Sequence, residues 1–323
     1  MGRDSVYTGG VIAVREKRFL GDRLLRMCGG TAEEAFAALS ESGYGCGAPA
    51  SSARDYEALV EAEERAVCDF IREYAPSEAE EGYFLYPFDF HNAKALFKAS
   101  LLHADAEKLL APEGKIPLSE LSAALSEKSY PAAWKELKEA LESANAYVAD
   151  GGGAGAAIGT IFERALYKCL QRVVSGSGTL KKLLAGRADR ANILTAVRAS
   201  SEEEAKGQYL PGGALSEKQL SGLFAADAER AAHALDGTPC AAFAEKCVRA
   251  KAEGKPLTDA EREAASFETQ FFALKKYELK KNQPFLYYVL RRRAENANVR
   301  VVFACLLAGM GEGEIAKRLR AMQ

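Results

Sequence analysis

The sequence predicts an all-α protein, and three observations carry that prediction. Apolar residues recur at helical spacing in nearly every segment, alternating β-branched runs are almost absent, and one polar motif returns three times in the same helical phase. Val299, Val302, Phe303, Leu306 and Leu307 fall at i, i+3, i+4, i+7 and i+8, which is one face of a helix. Val67, Phe70, Ile71 and Tyr74 repeat that pattern, as do Trp134, Leu137, Leu141 and Val148. Val11-Ile12-Ala13-Val14 permits a short extended stretch, and a helical pattern from Arg15 to Met27 follows it directly.

Breakers divide the helices. Gly43 to Ala53 is a Gly/Ala/Ser loop, and Ala111 to Ile116 carries Pro112 and Gly114. Gly151, Gly152, Gly153, Gly155 and Gly159 mark a bend. Ser200 to Gly213 joins an acidic run to Pro211-Gly212-Gly213, a stop followed by a new helix start at Ser216.

Composition bounds the function. Of 323 residues, 48% are hydrophobic and 27% charged, which is the balance of a globular chain rather than a disordered one. A net charge of -2 gives no overall footprint for nucleic acid or an anionic membrane surface. Seven cysteines are dispersed without CxxC spacing, the pattern of reduced thiols packed as small hydrophobes. The start MGRDSVYTGG lacks an apolar signal core, and no stretch approaches the roughly 20 apolar residues that span a bilayer. If the protein works at a membrane, another subunit is expected to hold it there.

The repeat is the informative feature. Asp89-Phe-His-Asn92, Asp189-Arg-Ala-Asn192 and Glu295-Asn-Ala-Asn298 share an acid, two intervening residues and an asparagine, and the asparagines are 100 and 106 residues apart. Upstream glutamates Glu64, Glu163 and Glu268 precede them by 28, 29 and 30 residues. These spacings predict three homologous helical domains: 1–110, 111–205 and 206–323. Each acid is expected to cap a helix start and each Asn to lie in the first turn, where its amide exchanges hydrogen bonds with a neighbouring segment. That reading makes the motif a structural lock. The alternative is a metal held by Asp89, His91 and Asn92, but the other two copies have no histidine and a metal needs three or four converging ligands.

No catalytic constellation or nucleotide cradle emerges. His103 and His233 lack partners in sequence, Gly153-Ala-Gly155 does not continue as a dinucleotide fingerprint, and Ser175 to Lys182 lacks Walker A spacing. No catalytic, cofactor or metal residue is assigned. Lys275-Lys276, Lys280-Lys281 and Arg291-Arg292-Arg293 read as a solvated helix face, with an acidic-partner surface as the alternative. The interleaved aromatics Phe271, Phe272, Tyr277, Phe285, Tyr287 and Tyr288 have helical spacing and read as core.

Taken in order, these segments resemble the C subunits of the V/A-type ATP synthases, a family to which the d subunit of the vacuolar pump also belongs. Asp89-Phe-His-Asn92-Ala-Lys-Ala-Leu carries the resemblance, together with Leu210-Pro-Gly-Gly213 and Leu215-Ser. Glu295-Asn-Ala-Asn-Val-Arg300 running through Leu306-Leu-Ala-Gly309 is similar to the family's C-terminal signature, and Thr31-Ala-Glu-Glu with Tyr44-Gly45 to its first unit. The family's arginine-rich opening is mostly replaced here by Gly10-Val-Ile-Ala-Val, leaving Arg15. The resemblance implies a pseudo-threefold funnel of three helical domains. It also implies a non-catalytic central-stalk role, with the rotating shaft and the membrane proteolipid ring as partners, on the cytoplasmic face. A helical scaffold for unrelated partners is the competing expectation, although such scaffolds use repeats of roughly 20–50 residues.

Overall fold

The computed structural model describes residues 5–225, 227–273 and 281–321. Among them every regular element is a helix, with no strand. Its packing separates into two compact units, residues 1–77 with 250–323, and residues 78–249.

The first unit begins with α1 (Ser5–Glu16), α2 (Asp22–Met27), α3 (Ala32–Glu41) and α4 (Tyr56–Tyr74). The stretch permitted at Val11 to Val14 is helical, inside α1. The helix expected from Arg15 to Met27 is interrupted at 17–21, where Gly21 takes φ +54. Helix α3 starts on a reciprocal cap: Thr31 Oγ1 accepts from Glu34 N at 3.2 Å, while Glu34 accepts from Thr31 N at 2.7 Å. Those bonds hold the exposed Glu34 carboxyl below its usual range.

The second unit holds α5 (Glu78–Leu102), α6 (Leu118–Glu127), α7 (Lys135–Ala149), α8 (Ala156–Val173), α9 (Gly178–Arg198), α10 (Glu202–Gln208), α11 (Glu217–Ser221) and α12 (Ala228–Ala232). Helix α13 (Ala241–Ala252) runs across the unit boundary. The glycine-rich bend lies between α7 and α8 at Gly151 to Gly155 as expected, while Gly159, read as part of it, is inside α8; Ser216 caps α11 through a reciprocal pair with Gln219. The acidic run after Ser200, read as part of a stop, instead forms the first turn of α10. Ser201 caps it, and three glutamates face the positive end of the helix dipole. Helices α5 and α7 both pack on α8. Phe97 of α5 meets Phe162 of α8 with ring centroids 6.1 Å apart, and Leu121, Leu141 and Leu170 of the same unit are fully buried.

The chain then returns to the first unit through α14 (Thr258–Ala273), α15 (Gln283–Leu307) and α16 (Glu312–Ala316). Helix α15 is the axis of this unit and packs on α1, α2, α3, α4, α14 and α16. Val299, Val302 and Phe303 are fully buried, as the sequence pattern requires, with Leu24, Leu39 and Val60 in the same core; Leu306 packs against it half-buried, and Leu307, read as part of the same face, is exposed at the helix end. Phe70 of α4 lies 5.5 Å from Phe285 and 4.9 Å from Tyr288. Phe272, Phe285, Tyr287 and Tyr288 are buried as expected; Tyr277, Lys275, Lys276 and Lys280 lie outside the described residues. Six of the seven thiols are buried and none is in a disulfide, and burial pushes the Cys169 thiol up to about 12.

Neither reading of Arg291-Arg292-Arg293 survives. This stretch of α15 is largely covered by its neighbours, so its charges find partners within the protein. Arg292 is 2% exposed and ion-paired with fully buried Glu295. Arg293 meets Glu64 at 2.9 Å, and the guanidinium of Arg291 lies 4.3 Å from the Phe19 ring centroid. Removing one member of a buried pair strands the other, which typically costs about 3–5 kcal/mol. Arg292→Leu is therefore expected to lose about that much stability in urea unfolding; a loss below about 1 kcal/mol would show that Glu295 finds water once its partner is gone.

Candidate functional site: three amide clasps

The three acid-x-x-Asn motifs do not open helices. Asp89 and Asn92 sit in the middle of α5, Asp189 and Asn192 in α9, and Glu295 and Asn298 in α15. All six side chains are buried. The capping expectation fails because the backbone N–H groups around them are already used by the helix, so the side chains turn outward to other segments. In sequence, an acid three residues before an amide looks the same at a helix start as in its interior.

Each asparagine closes the same pair of hydrogen bonds on a backbone segment downstream. Asn92 donates to Ala111 O at 2.7 Å and accepts from Ala111 N at 2.8 Å. Asn192 does so with Leu210, at 2.9 and 2.7 Å, and Asn298 with Arg320, at 3.0 and 2.8 Å. A primary amide is the side chain that can do this: it offers a donor and an acceptor side by side, as a strand neighbour would. The clasped residues are 19, 18 and 22 positions downstream, so each long helix holds the segment that follows it.

The acids of the first two copies fasten the same segments a second time. Asp89 accepts from Ile116 N at 2.9 Å, and Asp189 accepts from Leu215 N at 3.0 Å and from Ala214 N. These contacts need the backbone very close to the carboxylate. A Cβ on Gly114 would stand 2.2 Å from Asp89 Oδ1, and one on Gly213 would stand 2.3 Å from Asp189 Oδ1. Pro112-Glu-Gly114 and Pro211-Gly-Gly213 are legible as breakers, but their role as cradles for the repeat acids escaped the sequence reading. The signal was present, since each Pro-x-Gly follows its asparagine by 20 to 22 and 19 to 21 residues. Burial raises the Asp189 carboxyl, while the two backbone donors and Arg190 oppose that rise.

The metal alternative is not realised by the side chains as placed. His91 Nε2 bonds Leu109 O at 2.8 Å, while Asp89 and Asn92 bond other backbone groups, so the three diverge onto one strap. No cluster of three His, Cys, Asp or Glu side chains with metal-binding geometry occurs among the described residues. His233 is an exposed surface residue between Glu229 and Asp236, which raise its pKa.

The upstream glutamates do not share one environment. Glu64 is bonded to Arg293 and to Asn296 Nδ2, and Asn296 Oδ1 accepts from the buried Tyr44 hydroxyl at 2.8 Å. Glu163 is exposed on α8. Glu268 is half-buried on α14, where its charge supports the Arg320 guanidinium. The near-constant spacing therefore reflects three helices of similar placement in sequence rather than three copies of one contact. The acid that the spacing does not single out is Glu63, 3% exposed, which accepts from Gly45 N at 3.0 Å and from Arg18 at 3.1 Å.

Replacing Asn192 by Leu leaves both Leu210 backbone groups unsatisfied, so a loss of about 1–3 kcal/mol is expected in urea unfolding, whereas a few tenths would mean that the clasp is not a lock. Gly213→Ala is expected to cost about 1–3 kcal/mol by overpacking against Asp189. A carboxyl whose folded pKa is raised adds stability below its unfolded pKa and loses it as pH rises through the folded value. The stability deficit of Asp189→Asn relative to wild type should accordingly be largest in acid and shrink as pH rises, read by unfolding at several pH values; a deficit growing with pH would reverse the assignment.

Comparison with curated proteins finds no match. A model of the ATP synthase (C/AC39) subunit family matches residues 9–318, a span that begins in α1, contains all three motifs and their glycine cradles, and ends just past α16. The chain therefore belongs to the ATP synthase (C/AC39) subunit family.

Proposed function

We propose that this protein is the non-catalytic central-stalk subunit of a rotary V/A-type ATPase, joining the rotating shaft to the membrane proteolipid ring for ATP-linked proton or sodium transport. The observation that carries the reading is the family match along nearly the whole chain. The clasps support it physically. A torque-bearing joint has to resist shear between helices, and a buried two-bond amide contact resists it better than apolar packing, because sliding would strand the donor and acceptor together.

The three sequence units, 1–110, 111–205 and 206–323, belong to the same proposal, arranged as the funnel that the resemblance implies. They need not coincide with the two compact packing units. Helix α5 ends the first proposed unit yet packs on α8 of the second, so the proposed repeat boundaries and the packing boundary fall at different places. No helix among the described residues is long and apolar enough to cross a membrane, and attachment is proposed to come through the proteolipid ring on the cytoplasmic face.

A coupling joint makes a particular pattern of failure. Deleting this protein from the complex should leave ATP hydrolysis in the soluble sector while ATP-driven ion pumping in vesicles collapses. Intact pumping in vesicles lacking only this chain would overturn the role.

A further inference from the structure

In two of the three copies, the acid of the motif holds the residue two positions before a helix. Asp89 takes the N–H of Ile116, and α6 begins at Leu118; Asp189 takes the N–H of Leu215, and α11 begins at Glu217. In the third copy the acid bonds far upstream instead. The C-terminal segment is tied to Asn298, with Arg262 bonding Lys317 O at 2.7 Å and Ser266 accepting from Ala321 N at 3.0 Å. Glu295 accepts from Leu20 N at 2.6 Å, across 275 positions of chain, and α2 begins at Asp22.

The offset is the same in all three cases: an aliphatic residue, its N–H on the repeat acid, and a helix starting two positions later. Within the next turn each of these helices buries a leucine: Leu24, Leu121 and Leu220. From this we infer that Leu20–Glu295 is the third copy of the acid-to-helix-entry lock, so that the last unit fastens the entry of the first and the chain has one non-covalent seam. The inference rests on the three-unit reading proposed above and adds where that repeat closes.

The residue types at the seam fit this assignment. An aspartate reaches only one methylene from its backbone, so the chain it binds must come close, and in copies one and two a glycine two residues before the bonded amide makes room. Glutamate reaches one methylene further. The residue two before Leu20 is accordingly not glycine but Arg18, whose carbonyl accepts from Arg292 at 3.4 Å while Arg292 also pairs with Glu295. Phe19 lies under both guanidinium groups, at 4.3 Å from Arg291 and 4.4 Å from Arg292. In the first two copies the lock joins residues 27 and 26 positions apart, so its opening releases a short strap. At the seam the same opening releases the entry of α2 from a helix 275 positions away in the chain.

Amide hydrogen exchange on the full-length protein tests this. In wild type, the Leu20 amide should be protected to a degree comparable with Ile116 and Leu215; exchange of Leu20 at the rate of an unstructured peptide overturns the assignment. Glu295→Asp keeps the charge that Arg292 requires but withdraws the carboxylate by one methylene. It should speed exchange at amides 20–28 by about tenfold or more, the ratio that a loss of about 1.4 kcal/mol produces, while the amides of Ala111, Ile116, Leu210 and Leu215 keep wild-type rates. Unchanged exchange at 20–28 overturns the inference. If the variant is destabilised throughout, the wild-type Leu20 measurement decides. None of these readouts depends on pumping in vesicles, so loss of the coupling role and loss of the seam are separate outcomes.

Discussion

The structure depends on buried side-chain amides and carboxylates that bind backbone. Helices α5, α9 and α15 each bury residues around much of their circumference, and the motif residues lie on the enclosed part. Segments passing over such a helix face a surface that cannot hydrate their N–H and C=O groups. Asn92, Asn192 and Asn298 supply the missing partners from inside the helix, and the acid three residues earlier lies one turn away on the same face. The cost of burying these polar groups is offset only if every partner is present, which makes the contact specific for one register of the strap.

That specificity bears on the proposed mechanics. Apolar contacts between helices are non-directional and tolerate small displacements, whereas a paired donor and acceptor on one amide does not. The first unit carries a dense network of this kind. Arg292, Glu295, Asn296 and Asn298 lie within two turns of α15 and reach the 18–20 segment, Tyr44, Glu64 and the C-terminal strap. A body built in this way can transmit force through fixed hydrogen-bond geometry.

Much of this was legible in the residues. The all-helical class followed from spacing, since an apolar stripe at a 3.6-residue period can be buried only by a helix. The helix start at Ser216 and the bend after Ala149 followed from local chemistry, because a hydroxyl before a helix and a run of glycines act on their own neighbours. The repeat of acid and asparagine was visible because its spacing recurs, and the family resemblance drew on the same residues.

What tertiary structure alone decided was where those residues point. Asp89 and Asn92 look like a helix opening in sequence, yet they lie in mid-helix because α5 starts eleven residues earlier at Glu78, across Pro87. Arg291-Arg292-Arg293 looks like a solvated face, yet it is internal because α1, α2 and α4 close over α15 from hundreds of residues away. Gly114 and Gly213 look like turn formers, and only the approach of a carboxylate shows why a side chain cannot stand there. Local sequence determines the period of a helix, its caps and its breaks, since those are settled by atoms a few residues apart. Which face is enclosed, and which buried polar group meets which backbone atom, depends on segments distant in the chain, and for Glu295 that partner is Leu20.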